Sequence, residues 1–481
     1  MKLKELFPTA NFDCEVLGLT QDSQKVQKGF VFFAIKGHTV DGHKFIPAAL
    51  QNGACAIISQ EKLNYKESVL VEDIEAAMAT AALKFYVNPS NKLKMFAITG
   101  TKGKTSISYL LESILINAGK IPAVLGTINY RINRNVLSKA PNTTPAALTL
   151  QNILYTAVNQ GADSCIMEVS SHALELKRVE GVNFDTAIFT NLQRDHLDFH
   201  HTFENYFKAK YKLFDSLLNP QNTKQNKTAI INIDDEYGRK LYKMLDGKIK
   251  ILTYSLQGKA DFAATEIEPS LDGVTFKVNG QKAKINLLGA HNIYNALAAI
   301  AAASTYGINL ETAIKGIAAL QGVAGRMQAI KAGQPFYVFV DFAYTEEALL
   351  RAYDTVKPYK KGKIITVFGC GGERDTTKRP LMGACTVKNS DYVIITNDNP
   401  RREDPQNILK DILAGVGDNN NYEVELDRRT AINKAINTAK AGDIVLIAGK
   451  GHEDYQILPT GKIHFSDEEE ALKAIKNYVQ F

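Results

Sequence analysis

No two of the five cysteines, Cys14, Cys55, Cys165, Cys370 and Cys385, stand at C-x-x-C spacing, and their number is odd. That pattern gives neither a zinc ligand set nor a disulfide framework, so reduced thiols are expected. Long apolar runs are missing too. None approaches the roughly 20 residues of a membrane-crossing helix, and Met1-Lys2-Leu3-Lys4-Glu5 has no apolar leader core. A cytoplasmic protein without membrane insertion is the expectation. Low-complexity tracts and internal repeats are absent as well, which removes disordered scaffolds and solenoids. Basic residues exceed acidic ones only slightly, for a net charge of +6, and no Lys/Arg stripe interleaved with aromatics is present. Nucleic acid is therefore not an expected partner, whereas small anionic substrates are compatible.

What remains is an ordinary globular composition, 45% hydrophobic and 22% charged over 481 residues, long enough for about three domains. Residues 1–92 alternate short apolar runs (Phe30–Ile35, Ala54–Ile58, Val69–Val71) with loops and an Ala-rich helix around Ile74–Tyr86. Asn88-Pro89-Ser90-Asn91 then reads as a linker. From Leu93 to Gly325, strands at 95–98, 165–169, 186–189 and 229–233 alternate with helices, including one over 292–305, in the manner of a mostly parallel sheet. A third segment, 326–481, carries strands at 337–340, 364–368, 392–396 and 444–448. The fold class expected is α/β in three domains: 1–92, 93–325 and 326–481.

The strongest chemical signal is Ile98-Thr99-Gly100-Thr101-Lys102-Gly103-Lys104-Thr105-Ser106, between an apolar strand and a helix marked by Ile107, Leu110, Leu111, Ile114 and Leu115. Strand, glycine turn and Lys-Thr make a phosphate cradle: backbone N–H groups face the anion, Lys104 adds charge, and the Thr105 hydroxyl reaches a magnesium ion. The general G-x-x-x-x-G-K-[ST] pattern wants glycine where this chain has Ile98, and a plain glycine turn is the competing reading.

Other strand ends carry polar groups. Glu168, in Met167-Glu168-Val169-Ser170-Ser171-His172, is either a metal ligand or a solvated strand-end charge. In Arg194-Asp195-His196-Leu197-Asp198 the aspartates suit helix capping, and His196 suits a metal. Lys210 reads, from residues alone, as a surface helix lysine. Asn292 and Asn295 open a helix and suit either an adenine edge or capping, and Asp341 suits a ribose hydroxyl or a cap. The last three strands run into Gly369-Cys370-Gly371-Gly372-Glu373-Arg374-Asp375, Asp398-Asn399-Pro400-Arg401 and Gly449-Lys450-Gly451-His452-Glu453. Ligands bind beyond the carboxyl ends of parallel strands, so three motifs on one edge point to one site. Arg374 and Arg401 suit carboxylates or structural ion pairs, and Glu453 suits an ammonium; both signs together fit a zwitterionic amino acid.

These strings, in this order and over essentially the whole chain, resemble the Mur ligase family. Gly100-Thr101-Lys102-Gly103-Lys104-Thr105 looks like its G-T-x-G-K-T, which accounts for Ile98. Glu168 to His172, Arg194 to Asp198, Leu288-Gly289-Ala290-His291-Asn292 and Gly325-Arg326-Met327 match further blocks. The resemblance implies an N-terminal UDP-sugar domain, a central ATPase and a C-terminal Rossmann-like amino-acid domain. The implied activity is ATP-dependent amide-bond formation through an acyl phosphate, in peptidoglycan and cell-wall synthesis. The member most resembled adds meso-diaminopimelate to UDP-N-acetylmuramoyl-L-alanyl-D-glutamate.

Implied for the nucleotide are Gly100 to Ser106, Asn292, Asn295, Arg326 and Asp341, and for magnesium Thr105, Glu168, His196 and Lys210, the last as a carbamate. Lys104 would hold phosphate. A carbamylated lysine must first be a neutral amine, so its pKa must be depressed. Asp22-Ser23 and Gly37-His38-Thr39 resemble the uracil region. Asn142-Thr143-Thr144-Pro145, Ser170 and Arg178 resemble diphosphate and muramoyl-peptide contacts. Arg374, Asp398, Asn399, Pro400, Arg401, Gly449 and Glu453 resemble the diaminopimelate block. Gln24 replaces the arginine of a usual D-S-R, and Tyr344 and Glu346 replace the histidine and proline of D-[YF]-A-H-x-P. A monomer is expected. The alternatives are the same ligation with L-lysine or another diamino acid, a folylpolyglutamate synthetase-like ligase, or a nucleotide switch without ligation.

Overall fold

The computed structural model describes residues 1–37 and 40–480; the candidates His38 and Thr39 lie outside the described residues. The chain forms two compact units, Met1–Ala264 with Tyr294–Ile317, and Thr265–Ile293 with Ala318–Phe481.

The first unit begins with a parallel sheet in the order β1 (Gly18–Thr20), β2 (Phe30–Phe33), β3 (Ala54–Ser59), β4 (Ser68–Leu70). Helix Ile74–Phe85 follows, capped by the Asp73 side chain on Ala76 N. The expected linker is not loose. Pro89–Lys92 forms a short 3-10 turn in which Ser90 is fully buried. Ser90 Oγ accepts from Asn183 N (3.1 Å), and Asn183 Nδ2 donates to Asn91 Oδ1 (2.7 Å). Turn-forming residues read alike in sequence whether a distant partner satisfies them or water does.

The larger sheet of this unit places β12 (Lys250–Ser255), β11 (Thr228–Asn232), β10 (Thr186–Phe189), β5 (Lys94–Thr99), β9 (Ser164–Glu168) and β6 (Pro122–Leu125) side by side and parallel. Met95 to Ile98 are wholly buried, as a strand covered on both faces must be. Helix Lys104–Asn117 lays Ile107, Leu110, Leu111, Ile114 and Leu115 against the protein with no exposure; each such aliphatic side chain contributes about 1.5–3 kcal/mol. The chain leaves β5 toward β6 on one side and reaches β10 on the other, so the Gly100–Gly103 loop sits at a topological switch point.

The sheet is mostly parallel, as expected, with antiparallel strands besides. β7 (Asn129–Ile132) and β8 (Asn135–Lys139) extend this sheet antiparallel, joined through Asn133 and Arg134 at positive φ. In the second unit, β14 (Gly273–Val278) and β15 (Gln281–Ile285) pair antiparallel around Asn279-Gly280, also at positive φ. Two-residue turns of that hand fit the twist of a hairpin and bring the strand straight back.

The second unit's main sheet runs β16 (Gln328–Ala329), β17 (Tyr337–Asp341), β21 (Ile444–Ala448), β18 (Ile364–Phe368), β19 (Tyr392–Ile395), β20 (Tyr422–Val424), parallel except for β16. A hairpin, β22 (Tyr455–Leu458) with β23 (Gly461–His464), follows β21.

Candidate active site

In the first unit, three neighbouring strand ends build the site. Beyond β5 the loop is fastened by residues beyond β10: Thr101 N donates to Asn191 O (2.9 Å), Lys102 N to Asn191 Oδ1 (3.0 Å), and Thr190 Oγ1 to Lys102 O (2.7 Å). These contacts require bare backbone. A Cβ on Gly100 would lie 1.9 Å from Thr190 Oγ1, and one on Gly103, at φ +93°, 2.5 Å from Asn295 Oδ1. The second value places the Asn295 amide against the loop, as the nucleotide reading requires.

Lys104 Nζ donates to the carbonyls of Gly100 (2.8 Å) and Thr101 (3.1 Å). Lys210 Nζ reaches the same Gly100 oxygen (3.1 Å) and lies 4.3 Å over the Tyr206 ring. The surface-lysine reading of Lys210 is overturned, since the residue is 1% exposed. Helix Phe203–Leu218 turns Tyr206, Phe207, Lys210, Leu213, Phe214 and Leu217 inward, and the lysine falls in register with that apolar stripe. Burial foremost, then the charge of Lys104, holds the Lys210 amine well below its usual pKa. A depressed amine pKa is the chemical condition that carbamylation asks for.

Glu168, at the end of β9, is 1% exposed. Its Oε2 accepts from Thr105 Oγ1 (3.0 Å) and Thr127 Oγ1 (2.9 Å), and its Oε1 from Thr127 N (3.1 Å). The solvated strand-end reading therefore fails. A hydroxyl and a carboxylate 3.0 Å apart beside a phosphate loop are the hard oxygen donors a magnesium ion takes. Thr127 escaped the sequence reading because a threonine after a short strand carries no motif of its own.

The candidates for the muramoyl-peptide end share this carboxylate's neighbourhood. Thr143 Oγ1 lies 3.1 Å from Thr127 Oγ1; Thr144 Oγ1 donates to Glu168 O (2.9 Å) and accepts from Ser170 N (3.0 Å); Arg178 Nη1 donates to Thr144 O (3.1 Å). Asn142 supplies the carbonyl that accepts from Tyr130 OH (2.7 Å). Ser23 sits apart, in the turn Ser23–Lys25 capped by Asp22.

His196, at φ +53°, stands edge-on to His172, with ring centres 4.9 Å apart. Burial lowers its pKa, so the ring is the neutral, ligating form. No group of three or more His, Cys, Asp or Glu among the described residues is placed to hold a metal ion.

In the second unit, β17, β21, β18 and β19 lie side by side and end on one edge. Asp341 ends β17 and accepts from Met327 N (2.7 Å). Burial pushes its carboxyl up to about 6, against the Met327 N–H and the Arg326 charge. A folded-state value above the unfolded one stabilises the fold below pH ~4, and that contribution is lost as pH rises through 6. Asp341→Asn is expected to remove up to about 3 kcal/mol of this dependence, read from urea unfolding at pH 4 and pH 7. Asn292 donates its Nδ2 to Leu288 O (2.7 Å), the helix-end role its sequence position also allowed.

Beyond the next strands, Arg401 donates to the Gly372 (2.7 Å) and Asn399 (3.4 Å) carbonyls, and Arg374 to Glu373 O (3.4 Å). These are carbonyl contacts rather than the ion pairs of the structural reading. Arg379, fully buried, ties this loop down through Glu403 (2.7 Å), Asp411 (2.8 Å) and Gly371 O (3.2 Å). Asn399 Nδ2 donates to Glu453 Oε2 (2.8 Å), so the second and third motifs meet side chain to side chain.

A phosphate loop at a switch point, an acidic strand end bonded to its threonine and a buried lysine on the loop's Gly100 carbonyl define a phosphate-loop α/β protein. Family models sharpen the class: the Mur ligase middle domain matches residues 98–303, the Mur ligase glutamate ligase domain 325–451, and the Mur ligase family catalytic domain 15–92. The chain belongs to the Mur ligase family. It is 41% identical to the UDP-N-acetylmuramoyl-L-alanyl-D-glutamate–2,6-diaminopimelate ligase of Clostridium tetani, covering 99% of both chains. It is 42% identical to the enzyme of that name from Fusobacterium nucleatum, over 97% of this chain and 95% of the relative. A solved structure of a ligase of the same name superposes with TM-score 0.71 at 35% identity, covering 100% and 99% of the two chains. The MurF ligase of Thermotoga maritima, solved with ADP, shares the fold at TM-score 0.62 and 20% identity, over 96% and 97% of the chains. No helix of the described residues is long and apolar enough to cross a membrane.

Proposed function

We propose that this chain joins meso-diaminopimelate to UDP-N-acetylmuramoyl-L-alanyl-D-glutamate, converting ATP to ADP and phosphate, in the synthesis of peptidoglycan precursor. Relatives over 41% identical across nearly the whole length carry that name. The observation that carries the reading is the Glu168 network. The Glu168 carboxylate bonds Thr105 of the phosphate loop and, through Thr127, reaches Thr143, while its backbone carbonyl accepts from Thr144, both residues matched to the muramoyl peptide. Donor phosphate and acceptor acid are thereby brought to one place, as in-line transfer requires.

In this reading residues 1–92 hold the UDP-sugar, with Ser23 at the uracil; 93–325 hold ATP; and 326–481 take the amino acid. Lys104 and the N–H groups of Gly100–Gly103 neutralise the transferring phosphoryl group. Thr105 and Glu168 would hold magnesium, with His196 and a Lys210 carbamate serving a second ion. The metal supplies charge neutralisation on the phosphate oxygens. The substrate carboxylate oxygen attacks the γ-phosphorus and ADP leaves. The amine then attacks the acyl carbon, and that oxygen departs with phosphate. Arg401 and Arg374 would grip a diaminopimelate carboxylate, and Glu453 an ammonium.

The test is ADP and phosphate release by purified protein given UDP-MurNAc-dipeptide, ATP and magnesium. Release with one tripeptide product is expected with meso-diaminopimelate and not with L-lysine. Preference for lysine contradicts the amino-acid assignment, and no product with either contradicts the reading as a whole.

A further inference from the structure

Lys450 takes no part in the chemistry above, yet it is fully buried. A lysine so placed is stable only with its charge and donors matched. Its Nζ donates to Asn399 Oδ1 (3.2 Å) and Glu453 Oε2 (3.1 Å), and stands 3.9 Å from Asp398 Oδ1. Asn399 Oδ1 also accepts from Ile457 N (2.9 Å). With two donors on its oxygen, the Asn399 amide can present only its Nδ2 to Glu453, which it does at 2.8 Å. Tyr455 OH donates to the remaining Glu453 oxygen (3.3 Å). The neighbouring cation Arg428 is occupied, paired with buried Asp467 through Nε (2.7 Å) and Nη2 (2.8 Å). At Gly449 an added Cβ would approach Asp398 Oδ2 to 2.8 Å, so the chain is bare where that carboxylate sits.

We propose that Lys450 is a positioning and specificity-determining residue, whose ammonium fixes Asn399 and Glu453 and makes the cluster select a zwitterionic end over a bare ammonium. This rests on the ligase reading above. With Arg428 and Asp467 cancelling each other, the carboxylates of Asp398 and Glu453 are offset by the Lys450 ammonium between them, and Arg401 and Arg374 offer positive charge to a carboxylate. A cluster balanced in this way, with both signs displayed, complements an α-amino-acid end, which is itself neutral and carries both signs. Without Lys450 the Asp398 and Glu453 carboxylates lose the cation between them and favour a lone ammonium, such as the side chain of L-lysine. Like-charge repulsion between Asp398 and Glu453, no longer divided by a cation, also drives the two carboxylates apart.

The experiment compares kcat/KM for meso-diaminopimelate and L-lysine in the full chain, wild type against Lys450→Met. The KM for diaminopimelate is expected to rise about 10- to 100-fold, with the KM for ATP and for the UDP-dipeptide unchanged. The diaminopimelate-to-lysine ratio of kcat/KM is expected to fall at least about tenfold. Lys450→Gln, which keeps a donor and removes the charge, should shift the ratio in the same direction. Both rates come from one sample, so a misfolded fraction cancels. An unchanged ratio in both variants, or an equal rise in all three KM values, overturns the proposal. Wild-type protein that forms no product with either amino acid instead overturns the ligase reading on which it stands.

Discussion

Lys104→Met is expected to lower kcat for ADP formation about 100- to 1000-fold while leaving the melting temperature close to that of the wild type. Lys104 opens helix Lys104–Asn117 and donates to the loop carbonyls Gly100 O and Thr101 O. Neither of these bonds is to a carboxylate, and methionine is a good helix former. Transition-state charge is another matter. Lys210 beside it is buried, and that burial holds its amine well below the usual lysine pKa, so it is a poor substitute for the Lys104 charge. A drop in kcat with little change in the KM for ATP would place the Lys104 contact in the transition state. Loss of fold, or a rate within threefold, would remove Lys104 from the chemistry.

Arg401→Lys should separate amino acids rather than abolish the reaction. Arg401 sits at φ +57° with its N–H on Ile457 O (2.9 Å) and its guanidinium on Gly372 O (2.7 Å). The fork is thereby anchored at one nitrogen with others left for a carboxylate. Lysine retains the charge and loses the two-pronged geometry. The KM for meso-diaminopimelate is expected to rise about 10- to 100-fold, with ATP and UDP-dipeptide unaffected, measured by steady-state phosphate release. An unaltered KM would assign Arg401 to loop structure alone.

Much of this was legible in the residues. Buried parallel strands are continuous apolar runs, so β5, β9, β10, β18 and β21 showed themselves, and the glycine-lysine-threonine turn marked which strand end held the loop. The antiparallel hairpins were harder. Asn133-Arg134 has no glycine to announce its turn, and β8 is exposed at all five positions, leaving no apolar alternation to read. Lys210 reads by residue type as a surface lysine and enters the site only through the family resemblance, whereas helical register shows its burial, because it shares a face with Tyr206, Phe207, Leu213 and Leu217. Thr127 and Lys450 act through contacts to residues 41 and 51 positions away; no local pattern encodes such a partner.

Everything rests on an oxygen of the dipeptide's acid reaching the phosphorus of ATP beside Lys104 and Glu168. Preparing UDP-MurNAc-dipeptide with a heavy oxygen isotope in its terminal carboxylate, and analysing the released phosphate by mass spectrometry, tests that transfer directly. One labelled oxygen per phosphate, formed in step with tripeptide, is the predicted result. Tripeptide formed with unlabelled phosphate would contradict it.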